Sequence, residues 1–303
     1  MNAGEPIDRR TPLEARLEAD RARQRDALRR GPIPEADFAA LADAADGARD
    51  SLERWGAGDR ALGAAGDNAA VLRTAAALVG GRSDSDEPPD GARVYAAAAW
   101  AARARGMIDR LGRRAHWRGC LAAALGGDRA AELVARLGLT LLPAGVRAEP
   151  DPVDPEVCAI EIDGWQIAAV CSPAETPEAI ATAASRAHET LRERKMMGIA
   201  VAGVDGVLGA DPAQRFADDA TGISRTNARL DGLLVDHRDA AIEAAGDAHV
   251  FGLAVSAERM LVNAAARRIG IVAAVRAVNL CDTADPRAEK LAWLLDRLDR
   301  TPA

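Results

Sequence analysis

The rhythm of apolar and polar positions along this chain changes near residue 143. Before that point, stretches at about 34–55, 67–79 and 94–127 are rich in Ala and Leu and predict helices. Thr11-Pro12-Leu13-Glu14 combines a capping hydroxyl, a proline at the first helical position and an acid three residues after the cap, so a helix is predicted to start there and to end at Gly31-Pro32. Its Leu13, Leu17 and Leu28 stand among many charges, the pattern of a solvated helix with a narrow apolar seam. Residues 80–91, "GGRSDSDEPPDG", break the pattern and read as a flexible loop. Asp128 is placed to cap a further short helix ending near Gly138. The first half therefore reads as all-helical, without a repeat of fixed period.

Four prolines and several acids in "PAGVRAEPDPVDPE", 143–156, mark a connection between modules. Beyond it, "VCAIEI" and "WQIAAV" flank Asp163-Gly164, a strong two-residue hairpin signal. With that turn, Ile162 is expected opposite Trp165, Glu161 opposite Gln166, Ala159 opposite Ala168 and Val157 opposite Val170. Alternation then puts Glu161, Gln166, Ala168, Val170 and Ser172 on one face. Cys158, Ile160, Ile162, Trp165, Ile167, Ala169 and Cys171 form the other, continuously apolar and expected to be core. Thr176-Pro177 starts a helix with Ile180, Ala183, Ala184, Ala187 and Leu191 on one side. "GIAVAGV", 198–204, reads as a strand covered on both sides, and Asp211-Pro212 begins a mostly helical stretch to about Ala245. "HVFGLAVS" supplies another strand and "GIVAAVRAV" a strand or a helix. The fold class is α+β or α/β, with an all-helical module over 1–145 and an α/β module over 150–303.

Composition narrows the function classes. A formal charge of −7 argues against a generally basic surface that coats nucleic acid, while leaving a local basic patch open. Cys120, Cys158, Cys171 and Cys281 are widely spaced, form no Cys-x-x-Cys pair and read as reduced, buried thiols. His116, His188, His237 and His249 show no zinc-ligand spacing. The charged start and the lack of a membrane-length apolar run lead to an expected cytoplasmic location, with no membrane partner. "GVDGVLGAD", 203–211, lacks the glycine spacing of dinucleotide folds and the Lys of a phosphate loop, so it reads as a turn.

Over about residues 150–208 the run of hairpin, helix and buried strand resembles the core of the PD-(D/E)XK nuclease-like superfamily. The resemblance implies a restriction-endonuclease-like mixed sheet flanked by helices, an Asp near one hairpin strand and an acid-x-Lys on the next. In active members such carboxylates hold a divalent metal that activates water. Here the acid-x-Lys positions align with Val170-Cys171-Ser172, and the aspartate with Asp154 or with the literal Pro150-Asp151. Valine and serine cannot replace a carboxylate and an ammonium at a hard-cation site. The strand has kept its shape and lost its chemistry.

Two functions follow from the resemblance. One is a catalytically inactive binding or assembly component, using no cofactor, with a protein or nucleic-acid partner or self-association. The alternative is a magnesium-dependent DNA nuclease whose ligands have moved among Asp154, Glu161, Glu175 and Glu189. The helix after the hairpin also offers Arg186, His188 and Arg192, although Glu189 and Arg192 are spaced for an ordinary helix-surface pair. Finally, "RARGMIDRLGRRAHWRG", 103–119, concentrates arginines. On one continuous helix Arg103, Arg110, Arg114 and Arg118 share a side and could follow a phosphate backbone.

Overall fold

The computed structural model describes residues 35–79, 91–162, 164–208, 214–216, 219–246, 249–263, 268–280 and 286–300. The predicted helix from Thr11, the loop at 80–90, Asp163, the Asp211-Pro212 helix start and Cys281 lie outside them. Helices α1 (Glu35–Arg54), α2 (Asp59–Val79) and α3 (Gly91–Leu111) pack through Phe38, Leu72, Val94, Tyr95 and a series of buried alanines. Small side chains let three helices approach closely with little side-chain entropy to lose.

The run expected as one helix through residue 119 is broken. Helix α3 ends at Leu111, a turn follows, Ala115–Trp117 forms a single 3-10 turn, and α4 (Arg118–Leu125) sets off anew. Trp117 explains part of this: its side chain is fully buried, and its ring approaches the Gly138 backbone so closely that a Cβ there would lie 2.3 Å from it. Asp128 caps α5 (Arg129–Leu141) by accepting from the amides of Ala130 and Ala131, as its sequence position predicted.

The sheet begins earlier than the prolines suggested. Arg147–Pro150, inside the stretch read as a connection, forms strand β1 and pairs antiparallel with β2 (Val157–Ile162). Strand β2 pairs with β3 (Trp165–Pro173) in the predicted register, Ile162 opposite Trp165 and Val157 opposite Val170. Gly164 takes the positive φ of 77° that such a turn requires. After α6 (Ala179–Glu193), β4 (Gly198–Gly203) lies parallel to β3. The short β5 (Gln214–Phe216) and α7 (Asp219–Ala245) precede β6 (Val250–Asn263), which is parallel to β4. The ambiguous last apolar run is β7 (Arg268–Asn279), antiparallel to β6 along one edge. Strands β4 and then β5 occupy the other edge of β6. Helix α8 (Pro286–Arg300) follows.

The result is a seven-stranded mixed sheet between two helical layers. On one face α6 and α7 pack Ile180, Leu191, Leu230 and Leu234 against Ala168, Val170, Ala200 and Leu253. The opposite face buries Cys158, Ile160, Ile167 and Cys171 under α5 and α8. This second core also takes in Leu52, Ala65, Met107 and Leu111, so the helical half and the sheet share one continuous apolar interior. Among the described residues no helix is long and apolar enough to cross a membrane.

Candidate functional site

Two polar clusters flank the parallel strands. The first lies beside the hairpin and the end of α6 and holds Asp151 and Asp154. Asp151 folds the loop after β1 by accepting from the amides of Val153 and Asp154. Arg194, just after α6, then joins two carboxylates: Nη1 donates to Asp151 at 2.6 Å and Nη2 to Asp154 at 2.9 Å. Burial by itself would raise the Asp151 pKa, but the Val153 amide, the Arg194 guanidinium and the Asp154 amide together hold it below the ordinary carboxylate range. Beside them Arg186 pairs with Glu156.

The two strand positions next to this cluster are occupied by packing groups. Val170 is fully buried in the α6–α7 core. Ser172, also buried, has no hydrogen-bond partner for its Oγ among the described residues. The remaining candidate acids are dispersed. Glu161 pairs with Arg147 across β1 and β2, Glu175 pairs with Arg129 at the start of α5, and Glu189 is exposed on α6. Among the described residues, no group of three His, Cys, Asp or Glu side chains is arranged to hold a metal ion.

The second cluster occupies the carboxyl ends of β3 and β4 beside the middle of β6, and open α/β sheets place their ligand crevices at such strand ends. A cavity of about 270 Å³ there is lined by Arg103, Arg129, Glu132, Arg136, Asp205 and Glu258 and by Glu175, one of the candidate acids of the sequence, with Pro173 and Gly203 at strand ends and Gly206 in the following turn. Arg136 is at its centre, 2% exposed. Its Nη2 donates to Glu132 at 2.8 Å, and its Nη1 to Asp205 at 3.2 Å and to Ser256 Oγ at 3.3 Å. Arg103 donates from Nη2 to Glu258 at 2.6 Å and from Nη1 to Glu132 at 3.2 Å. Asp205 also accepts the Glu258 backbone amide at 2.5 Å. Burial works against both guanidinium charges, and the surrounding carboxylates outweigh it, raising both arginine pKa values. Buried charges this well matched act as a polar clamp between α3, α5 and the sheet.

Sequence reading missed this network. Its signals were faint: Glu132 and Arg136 stand four apart in an otherwise apolar helix, and Glu258 sits in an apolar strand. The turn at 203–208 also contributes, since Gly203, Asp205 and Gly206 line the crevice. Arg103, expected among phosphate-binding arginines, belongs to this clamp. It does not share a helix face with Arg114 and Arg118, because α3 ends before them.

No family model, curated protein or solved structure matches this chain.

Proposed function

We propose that this chain is a non-catalytic binding or assembly component built on a nuclease-like scaffold. The observation carrying the reading is the fate of the hairpin site: Val170 is buried at the acid position, while Asp151 and Asp154 are both engaged by Arg194. A divalent cation needs several oxygen ligands free to converge, and here a guanidinium already occupies that role for two of them. The antiparallel pair β2–β3, the helix α6 and the parallel β4 support the nuclease-like resemblance by their order and direction. The shared core between the helical half and the sheet supports a rigid scaffold suited to presenting surfaces.

Calorimetry with magnesium and with manganese, run beside a plasmid-nicking assay, tests this. The expected outcome is no saturable metal binding and no cleavage. Nicking that is abolished by Asp154→Asn or Glu175→Gln would overturn it in favour of a nuclease with relocated ligands.

A further inference from the structure

The broken helix between α3 and α4 creates a feature that a straight helix would lack. Arg113 in the turn and Arg118 at the start of α4 are brought beside Arg54 and Trp55 at the end of α1. Together with Ser51, Ile108, Asp109 and Gly112 they line an open cleft of about 540 Å³. Gly112 lets the indole seat against the turn, since a Cβ there would fall 2.9 Å from Trp55 Cη2.

The arginines of this cleft differ from those of the clamp in how they are neutralised. Arg54 donates to the Ser51 hydroxyl and Arg118 to the Gly112 carbonyl, at 3.0 Å and 3.5 Å. Neither these two nor Arg113 forms an ion pair with a carboxylate among the described residues, and all three are exposed. Asp109, the one acid lining the cleft, is itself paired with Arg105. In a chain of net charge −7, three guanidinium groups without a carboxylate partner among the described residues stand around a half-buried indole and form an anion-attracting site. Three guanidinium groups along one cleft suit a ligand with more than one anionic group.

We propose that this cleft binds single-stranded nucleic acid, with Arg54, Arg113 and Arg118 on successive phosphates and the Trp55 indole against a base. Guanidinium groups supply phosphate contacts and an aromatic wall accepts any base by stacking, which is the combination that sequence-tolerant single-strand sites use. The cleft has room for a nucleotide, and its indole wall suits an unstacked base, which a duplex keeps paired. The proposal goes beyond the non-catalytic reading and uses none of its residues, so failure of one leaves the other standing.

Fluorescence anisotropy of a labelled 20-nucleotide oligo-dT, titrated with the full chain at low salt, is the test. Saturable binding is expected, weakening with salt at a slope of roughly −2 on a log-log plot, about −0.7 for each phosphate neutralised. Arg113→Glu and Arg118→Glu should each weaken binding by about tenfold or more, and Trp55→Ala by roughly five- to a hundredfold. Trp55→Phe, which keeps an aromatic wall, should retain most of the affinity. Arg238→Ala, at an exposed position of α7, should leave it unchanged. Circular dichroism of each variant separates lost binding from lost fold. No binding at low salt, or full binding by the Arg113→Glu/Arg118→Glu double variant, would overturn the proposal. So would equal competition by inorganic phosphate, duplex DNA or poly-glutamate, which would reassign the cleft to a small anion, a duplex or an acidic protein.

Discussion

Arg103 on α3 donates to Glu258 on β6 at 2.6 Å, joining residues 155 apart in sequence across the boundary between the helical half and the sheet. Glu258 is 8% exposed, so the pair is shielded from screening by solvent. Its neighbours Glu132, Arg136 and Asp205 complete the compensation. The clamp therefore holds orientation as well as charge, and its loss leaves buried ions without partners.

Removing one member should be costly. Arg136→Met removes the buried guanidinium shared by Glu132 and Asp205 and leaves Arg103 alone to compensate Glu132 and Glu258, and is expected to destabilise the fold by about 3 kcal/mol. Glu258→Gln keeps the shape and removes one charge, so a smaller loss is expected. Urea unfolding of the two variants against the parent chain measures both.

The Asp151–Arg194 contact makes stability depend on acid pH. Because the folded-state pKa of Asp151 is lowered, its contribution is fully present above the unfolded value near 4 and is lost as pH falls through the folded value. Asp151→Asn should cost about 1.5 kcal/mol at neutral pH, the scale of a hydrogen bond to a charged group. That difference should shrink as pH falls through the folded value, as both chains come to carry a neutral side chain. Denaturant midpoints collected from pH 7 down to pH 3 check the sign.

Gly198 opens β4 directly against β3. A Cβ at this position would lie 1.7 Å from the Ala168 carbonyl oxygen, and backbone cannot yield as a flexible side chain does. Gly198→Ala is expected to cost about 3 kcal/mol or to abolish soluble expression, whereas Gly232→Ala on α7, with open space around it, should be neutral or slightly stabilising. Thermal unfolding distinguishes the two.

Burial also governs the thiols. Cys120 is pushed up to about 12, chiefly by burial and secondarily by Asp128, and burial raises Cys158 and Cys171 as well. Since the thiolate is the nucleophile, all three should react with iodoacetamide at pH 8 at least a hundredfold more slowly in the native chain than in urea. Peptide mapping after timed alkylation reads each cysteine separately.

What was legible in the sequence was what short-range rules control. The hairpin followed from one turn dipeptide, because a two-residue turn fixes which residues stand opposite and alternation then fixes the faces. The Asp128 cap and α6 were readable for the same reason. Strand β1 was hidden because its four residues end in a proline and run into further prolines, which on local evidence signal a connection. The apolar run of β7 has no period to separate strand from helix, and pairing with β6 resolves it.

The sequence by itself determined the hairpin register and the division of its residues between two faces, since each depends only on residue type and local spacing. Tertiary structure decided where the charges went. Trp117 buried itself and the helix ended at Leu111, so one row of arginines was divided between an internal clamp and an open cleft. Whether a guanidinium meets a carboxylate or solvent depends on chain segments far away in sequence, and no local pattern encodes that distance.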